Sequence, residues 1–385
     1  MFLHKLHFFY RKFQNIRLSF YKPRNVDVIL YDLKSKSRFK DFFRIDDIVI
    51  LQPLSKEVNV YVLVRSIIRM VSYNYEFARI VNAKIVLSSI DNCKKFLKMQ
   101  LPVEVKKIAV QNGYRSALLD IFYDIDLDLA KNQYNLDYYF TFGSCYSKKI
   151  SKYIDAEYKI IGSFNSNLEP LHKNDKEPGI LFISTFRDGY LRESELLAPG
   201  ILWGDYIRNE KKFLKWLFLY ANNTKQSISI LGASQSNFDK EFDFYKKIDK
   251  SGCFIKFYNR TTYRNTYRVV DKYKTIVSID SSLGYEALSR GSRVAMFSGV
   301  RGDKYPLNTR VFGWPCQLEK DGLFWSNSDN VDKWNSVMDN VTNADNDTWL
   351  AHIQNNVPNI ILRDEFNSKF VDMLNGYKIN HCYKK

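Results

Sequence analysis

Thr275-Ile276-Val277-Ser278-Ile279-Asp280-Ser281-Ser282-Leu283-Gly284-Tyr285-Glu286-Ala287-Leu288-Ser289-Arg290-Gly291 is the stretch whose reading decides the fold. Residues 275–279 are mostly β-branched and unbroken by polar alternation, the pattern of a strand buried on both faces of a parallel sheet. Ser281 and Ser282 supply the turn and the N-cap of a helix over 283–289, and Gly291 follows as its stop. A strand, a tight turn and a helix form one βα unit, and parallel strands require that kind of crossover. Further out, strands over 179–184, 227–231, 253–258 and 293–297 alternate with helices near 211–221, 238–248 and 264–273. This rhythm defines a C-terminal Rossmann-like domain over 179–365.

The same rhythm runs upstream. Strands over 26–31, 47–51, 84–89, 107–110, 138–142 and 158–161 alternate with helices over 58–70, 75–81, 93–99 and 146–154, giving an N-terminal Rossmann-like domain over 25–166. Residues 167–178 are polar and include Pro170 and Pro178, so they read as the linker. A helical tail is expected over 366–385. The fold class is therefore α/β, two Rossmann-like parallel-sheet domains facing a cleft. At 385 residues and 45% hydrophobic composition the chain can bury a core in each.

The 58 basic residues exceed the 42 acids, a formal net charge of +16 that calls for an anionic partner. The first 24 residues hold Lys5, Arg11, Lys12, Arg17, Lys22 and Arg24 and no acid. Leu6, Phe9, Phe13, Ile16 and Phe20 recur at helical spacing among them, which predicts a basic amphipathic helix over 1–24 suited to an anionic membrane face. No run of about 18 apolar residues exists to span a bilayer. The five cysteines are scattered without a C-x-x-C pair, so reduced thiols and no structural zinc are expected. Asp124, Asp126 and Asp128 alternate with Ile125 and Leu127 as a half-buried edge would, and no metal is assigned to them.

P-loop, dinucleotide and nucleophile-elbow glycine motifs are absent, which sets aside P-loop NTPases, ordinary NAD enzymes and α/β-hydrolases. In doubly wound sheets the ligand sits beyond the carboxyl ends of the strands, so the residues just past each strand are the candidates. In the C-terminal domain these are Ser184 and Arg187, then Ser234 in Leu231-Gly232-Ala233-Ser234, then Asp280, Ser281, Ser282 and Glu286. Serine hydroxyls and free N–H groups at a helix start suit a phosphate, a fixed guanidinium suits phosphate or carboxylate, and Glu286 suits a pair of sugar hydroxyls. In the N-terminal domain Asp91 can serve as base or nucleophile, with Gln111, Asn112 and Arg115 orienting a polar or anionic substrate. Asp32 occupies a similar place after the first strand.

Several pieces in this order carry a resemblance: Val58-Asn59-Val60-Tyr61-Val62-Leu63, Ser89-Ile90-Asp91-Asn92, Val110-Gln111-Asn112-Gly113-Tyr114-Arg115-Ser116, Tyr139-Phe140-Thr141-Phe142-Gly143, Ile161-Gly162-Ser163-Phe164, Ile183-Ser184-Thr185-Phe186-Arg187, Asp280-Ser281-Ser282-Leu283-Gly284-Tyr285-Glu286-Ala287, Phe312-Gly313-Trp314-Pro315 and Gly322-Leu323-Phe324-Trp325. The chain resembles the glycosyltransferases of O-antigen and capsule biosynthesis with the two-Rossmann (GT-B) architecture. It is similar in turn to the retaining transferases that use CMP-linked Kdo or nonulosonic acids such as pseudaminic and legionaminic acid. That resemblance implies nucleotide binding by the C-terminal domain, a reaction without metal or cofactor, and an N-domain aspartate attacking the anomeric carbon, mapped here to Asp91. It also implies that Ser281, Ser282 and Glu286 hold the CMP phosphate and ribose, and that Arg187 meets phosphate or the sugar carboxylate. The implied partners are a CMP-linked donor, a lipid-linked glycan acceptor and the anionic inner face of the cytoplasmic membrane, reached through residues 1–24 of a cytoplasmic protein.

Three other readings stand beside it. A UDP- or GDP-hexose donor fits the same fold with different base contacts. A nucleic-acid partner would suit the charge, but no RRM, KH or helix-turn-helix signature is present, so none is expected. Transfer of glycerol phosphate from CDP-glycerol would call for a histidine near the cleft. Of the five histidines, only His352 falls in an ordered helical stretch.

Overall fold

A computed structural model describes residues 17–51, 57–115, 133–172, 176–198, 201–233, 235–301 and 311–382. The N-terminal half carries β1 (Arg17–Ser19), β2 (Val28–Leu30), β3 (Ile48–Ile50), β4 (Glu57–Asn59), β5 (Ile85–Ser88), β6 (Lys106–Val110), β7 (Asn135–Thr141) and β8 (Asp155–Ile160). Six of these build one parallel sheet in the order β3-β2-β5-β6-β7-β8. The C-terminal half carries β9 (Glu177–Ile183), β10 (Leu196–Ala198), β11 (Ile201–Leu202), β12 (Ile228–Leu231), β13 (Phe254–Tyr258), β14 (Tyr273–Ser278) and β15 (Arg293–Met296). Its parallel sheet runs β13-β12-β9-β14-β15. The two Rossmann-like sheets expected from the strand pattern are both present.

The apolar runs explain why these segments are central strands. Every residue of β5 and β12 is buried, as a strand covered by helices on both faces must be. Chain order reverses between β2 and β5 in one sheet and between β9 and β14 in the other. Helices leave in opposite directions at such a switch point, opening a crevice at the carboxyl ends. In the C-terminal sheet that crevice lies between the residues following Ile183 and those following Ser278.

The last helix, Ser368–Gly376, returns to the N-terminal half. Phe370 packs edge-on to Phe42 and Phe164 and near-parallel to Phe39, with ring centroids 5.2–5.9 Å apart. The returning strap grazes two glycines. A Cβ on Gly143 would stand 2.3 Å from the Ile360 carbonyl oxygen, and Gly162, at φ +76°, would drive one into that of Leu362. The linker is then clamped by Arg290. It donates to the carbonyls of Ser166, Glu169 and Pro170 and pairs with Asp271.

Two expectations are corrected. In the described part of residues 1–24, Arg17–Ser19 is a strand and not helix; it pairs in parallel with β4, and Asn59 Nδ2 donates to Ser19 Oγ (3.3 Å) and the Tyr21 carbonyl (2.8 Å). Pro23 ends any helix there, and the pairing overrides the periodicity. Residues 1–16 lie outside the described residues, as do Asp124, Asp126 and Asp128. The expectation of five thiols also fails: Cys145 and Cys316, 171 residues apart, form a disulfide between the helix Ser144–Ile150 and the segment after Val311. No local spacing shows a pairing over that distance. Cys93, Cys253 and Cys382 are free. No described helix is long and apolar enough to cross a membrane.

Candidate functional site

A polar cavity of about 680 Å³ lies at the C-terminal switch point, within the ~300–1,000 Å³ usual for small-molecule sites. One wall comes from the segments after β9, β13 and β14, which supply Arg187, Arg260 and Asp280; the other comes from Tyr114 and Arg115, after β6. Glu286 lines it from the first turns of the helix Ser282–Ser289.

The two walls meet through Tyr114. Its ring stacks on that of Tyr285 at 3.6 Å and 12°, its N–H donates to Ser282 Oγ (2.9 Å), and its hydroxyl donates to the Trp314 carbonyl. Gly113 permits this approach, since a Cβ there would already stand 3.2 Å from Ser282 Oγ. Beside them Ser163, just past β8, donates to Glu286 Oε1 (2.7 Å), while Tyr267 donates to Oε2 (2.8 Å). The strand-end segments of both sheets thus close on one cavity.

Its charge balance is cationic. Arg115, Arg187 and Arg260 face the carboxyls of Asp280 and Glu286. Burial pushes Glu286 up from the ordinary carboxyl range, and its bonds to Ser163 and Tyr267 together with Arg260 and Arg38 offset only part of that. Burial also pulls the guanidinium of Arg260 down against Glu286 and Glu241. Arg38, in the helix Leu33–Phe39, is lowered by burial as well, with Glu286 and Asp91 opposing. The Nε and Nη2 atoms of Arg260 and the Nε of Arg115 are buried without an acceptor among the described residues. Buried cationic donors with no partner are costly, and an anion placed among them removes that cost.

The predicted residues divide sharply. Arg187, Asp280, Ser281, Ser282 and Glu286 all line the cavity. Ser281 also caps its helix, accepting from the Leu283 N–H (3.3 Å), and Ser282 Oγ accepts the Tyr114 N–H, leaving its own proton to donate. Ser184 touches the cavity but is 2% exposed; its hydroxyl bonds Tyr245 Oη (2.7 Å) and accepts the Phe186 N–H, so it holds the bend. Ser234 lies outside the described residues, though Ala233 beside it lines the cavity, with its N–H on Glu241 (2.8 Å).

On the N-terminal side Asp91 is not among the residues that line the cavity. It is 1% exposed, Oδ1 takes Arg115 and the Asn112 N–H, and Oδ2 takes the Tyr139 hydroxyl (2.8 Å). A nucleophile needs a lone pair facing its substrate, and Asp91 stands behind the cavity wall and not on it. Gln111 is likewise consumed, donating to the Gly113 carbonyl (3.0 Å) and accepting from the Phe142 N–H (2.8 Å). Asn112 accepts from Arg115 Nη2 (2.9 Å). Of the four, only Arg115 reaches the cavity. Burial lowers its guanidinium, but Asp91 outweighs that and holds it well above its ordinary value. Asp32 is an N-cap, accepting from the N–H and hydroxyl of Ser35 (2.9 and 2.8 Å).

The sequence reading missed Arg260, Arg38, Tyr114, Ser163 and Tyr267. Arg260 stands two residues past β13, so the strand-end rule applied to that strand would have found it. Ser163, three residues past β8, falls under the same rule, whereas Arg38 and Tyr267 arrive from helices and nothing local marks them.

Fold and site together define a protein of two parallel sheets with a polar, arginine-lined cavity where their strand ends meet. The chain belongs to the family described as "putative O-antigen biosynthesis protein", whose model matches residues 108–378. No curated protein matches it. Among solved structures it is similar to the wall teichoic acid polymerase TagF, at 11% identity over 95% of this chain and 90% of that one, TM-score 0.48. It is also similar to sucrose-phosphate synthase from Thermosynechococcus elongatus (9%; 88% and 85%; 0.46). A third is the pneumococcal O-GlcNAc transferase GtfA in complex with UDP and GlcNAc (11%; 80% and 60%; 0.43).

Proposed function

We propose that the chain is a glycosyltransferase of surface-polysaccharide assembly that holds a nucleotide-activated sugar in the crevice between its sheets. The observation that carries this reading is Arg260, whose buried Nε and Nη2 have no acceptor among the described residues and which lines a cavity at the C-terminal switch point. Arg187 and the start of the helix Ser282–Ser289 flank the same space, so two anionic groups can be met side by side. Glu286 keeps lone pairs for a ribose diol after accepting from Ser163 and Tyr267.

In the reaction the bond between the anomeric carbon and the phosphate oxygen breaks, and the electron pair leaves with the nucleotide phosphate, where the guanidiniums stabilise the charge. The acceptor hydroxyl forms the new bond and its proton passes to Asp280. The donor of this reading is a CMP-linked 2-keto sugar acid, whose phosphate and carboxylate are the two anions; the acceptor is a glycan on a membrane lipid. A UDP- or GDP-hexose presents its diphosphate to the same arginines.

Thermal unfolding in the presence of CMP, CDP, UDP, GDP or dTDP tests this, because a ligand of the folded state raises the melting temperature by mass action. Stabilisation by cytidine nucleotides supports the CMP donor. Stabilisation by UDP or GDP alone replaces it with a hexose donor, and no response to any nucleotide overturns the reading.

A further inference from the structure

The helix Val60–Ile68 is amphipathic in the wrong sense for a water-facing element. Val62 and Ser66 point inward and are buried. The opposite stripe, turned outward, is Leu63, Val64, Ile67 and Ile68, with Met70 just beyond the helix, and their exposure rises to 67% for Ile67, 73% for Ile68 and 91% for Met70. A surface helix ordinarily places its charged residues there. This face is not isolated. β4 leads directly into the helix and pairs with β1, so Leu18, Phe20 and Tyr21 stand alongside, at 58%, 66% and 85% exposed. Single exposed apolar residues need no account, but a contiguous set from two chain segments marks an interaction surface.

The charges around the set identify what it meets. Arg17 and Lys22 flank the aromatic pair on one side. Arg65 and Arg69, about half exposed, edge the helix on the other, and the single buried carboxyl of Glu76 serves both of them and Arg79 as well. An apolar centre with aromatics and a basic rim complements a bilayer whose headgroups are anionic: alkyl chains take the aliphatic side chains, the interface takes Phe20 and Tyr21, and phosphates take the arginines and lysines. An uncharged apolar protein face would leave the basic rim uncompensated.

We propose that the outward face of residues 63–70, together with residues 17–22, is the surface by which the chain docks on an anionic lipid bilayer. It deepens the reading of a lipid-linked acceptor by naming the contact, and its test is separate from nucleotide binding. The helix is the apolar anchor; residues 17–22 are an extended rim of it, in place of the single terminal helix that the sequence periodicity suggests.

Full-length protein is to be sedimented with vesicles of phosphatidylcholine alone and of phosphatidylcholine with phosphatidylglycerol, at low and high salt. The expected result is binding to the anionic vesicles, weakened by salt and about tenfold or more stronger than to neutral ones. The double substitution Ile67→Glu, Ile68→Glu changes only exposed side chains. It is expected to lower vesicle binding by about tenfold or more while melting temperature and nucleotide response stay as in the wild type. Absence of binding to anionic vesicles overturns the proposal. So does unchanged binding by the double variant, or a dimer in solution that this variant dissociates, since a second copy would then be the occupant.

Discussion

The two walls of the cavity are made from the same kind of segment, the residues just past a parallel strand, and they use their polar groups in opposite ways. On the N-terminal wall Asp91, Gln111 and Asn112 bond to one another's loop and to Arg115, Tyr139 and Phe142, so the turn is a closed network with one guanidinium emerging. On the C-terminal wall Arg187, Asp280 and Glu286 face the cavity, and Arg260 buries donors that no described residue accepts. A strand-end position brings a residue to the crevice; whether it acts there depends on what remains after its own loop is satisfied. The N-terminal wall is therefore a rigid backstop and the C-terminal wall a binding surface.

The largest effect expected from that contrast is on Asp91. Asp91→Asn leaves the mostly buried Arg115 guanidinium without its counter-charge and should cost about 3 kcal/mol or more of stability, read as a lowered urea midpoint. An unchanged midpoint with lost transfer would return Asp91 to the chemistry and erase the difference between the walls.

Next comes Glu210, which sits fully buried behind the C-terminal wall in the helix Trp203–Asn223 and accepts from Thr185 (2.9 Å) and Tyr190 (2.6 Å). Burial pushes it up to about 7, against those two bonds and Arg187. The folded chain then keeps a proton that the unfolded chain releases near 4.5, so stability falls as pH rises through that window. The expected loss is about 3 kcal/mol between pH 4.5 and 7. Glu210→Gln should remove this slope, and a parallel pH dependence in wild type and variant would contradict it.

The smallest is Ser282→Ala, which strips the Tyr114 N–H of its acceptor at the seam between the walls. It should lower stability by about 1 kcal/mol in the same urea experiment. A neutral result would mean that the tyrosine stack alone holds the seam.

Legibility in the sequence followed the range of the interactions. The central strands of the two large sheets were readable because a continuous apolar run states its own burial, as in Ile228–Leu231. Part of the C-terminal wall was readable for the same local reason, since strand, cap and acid stand within a dozen residues at 275–286, whereas Arg260 after β13 was passed over. What escaped was long-range. The Tyr139–Asp91 bond that removes Asp91 from the cavity, the Ser163–Glu286 contact and the Cys145–Cys316 bridge join residues 48, 123 and 171 positions apart. At the N-terminus, the spacing of Leu6, Phe9, Phe13, Ile16 and Phe20 promised a helix, whereas pairing with Glu57–Asn59 makes residues 17–19 a strand.

The central claim is that the C-terminal wall, through Arg260, binds the anionic part of a nucleotide. Calorimetric titration of whichever nucleotide raises the melting temperature most, into wild type and into Arg260→Gln, tests it directly. The expected result is an affinity at least about tenfold weaker in the variant, the worth of one or two charge-assisted hydrogen bonds, at an unchanged melting temperature without ligand. Equal affinities in the two proteins would contradict it.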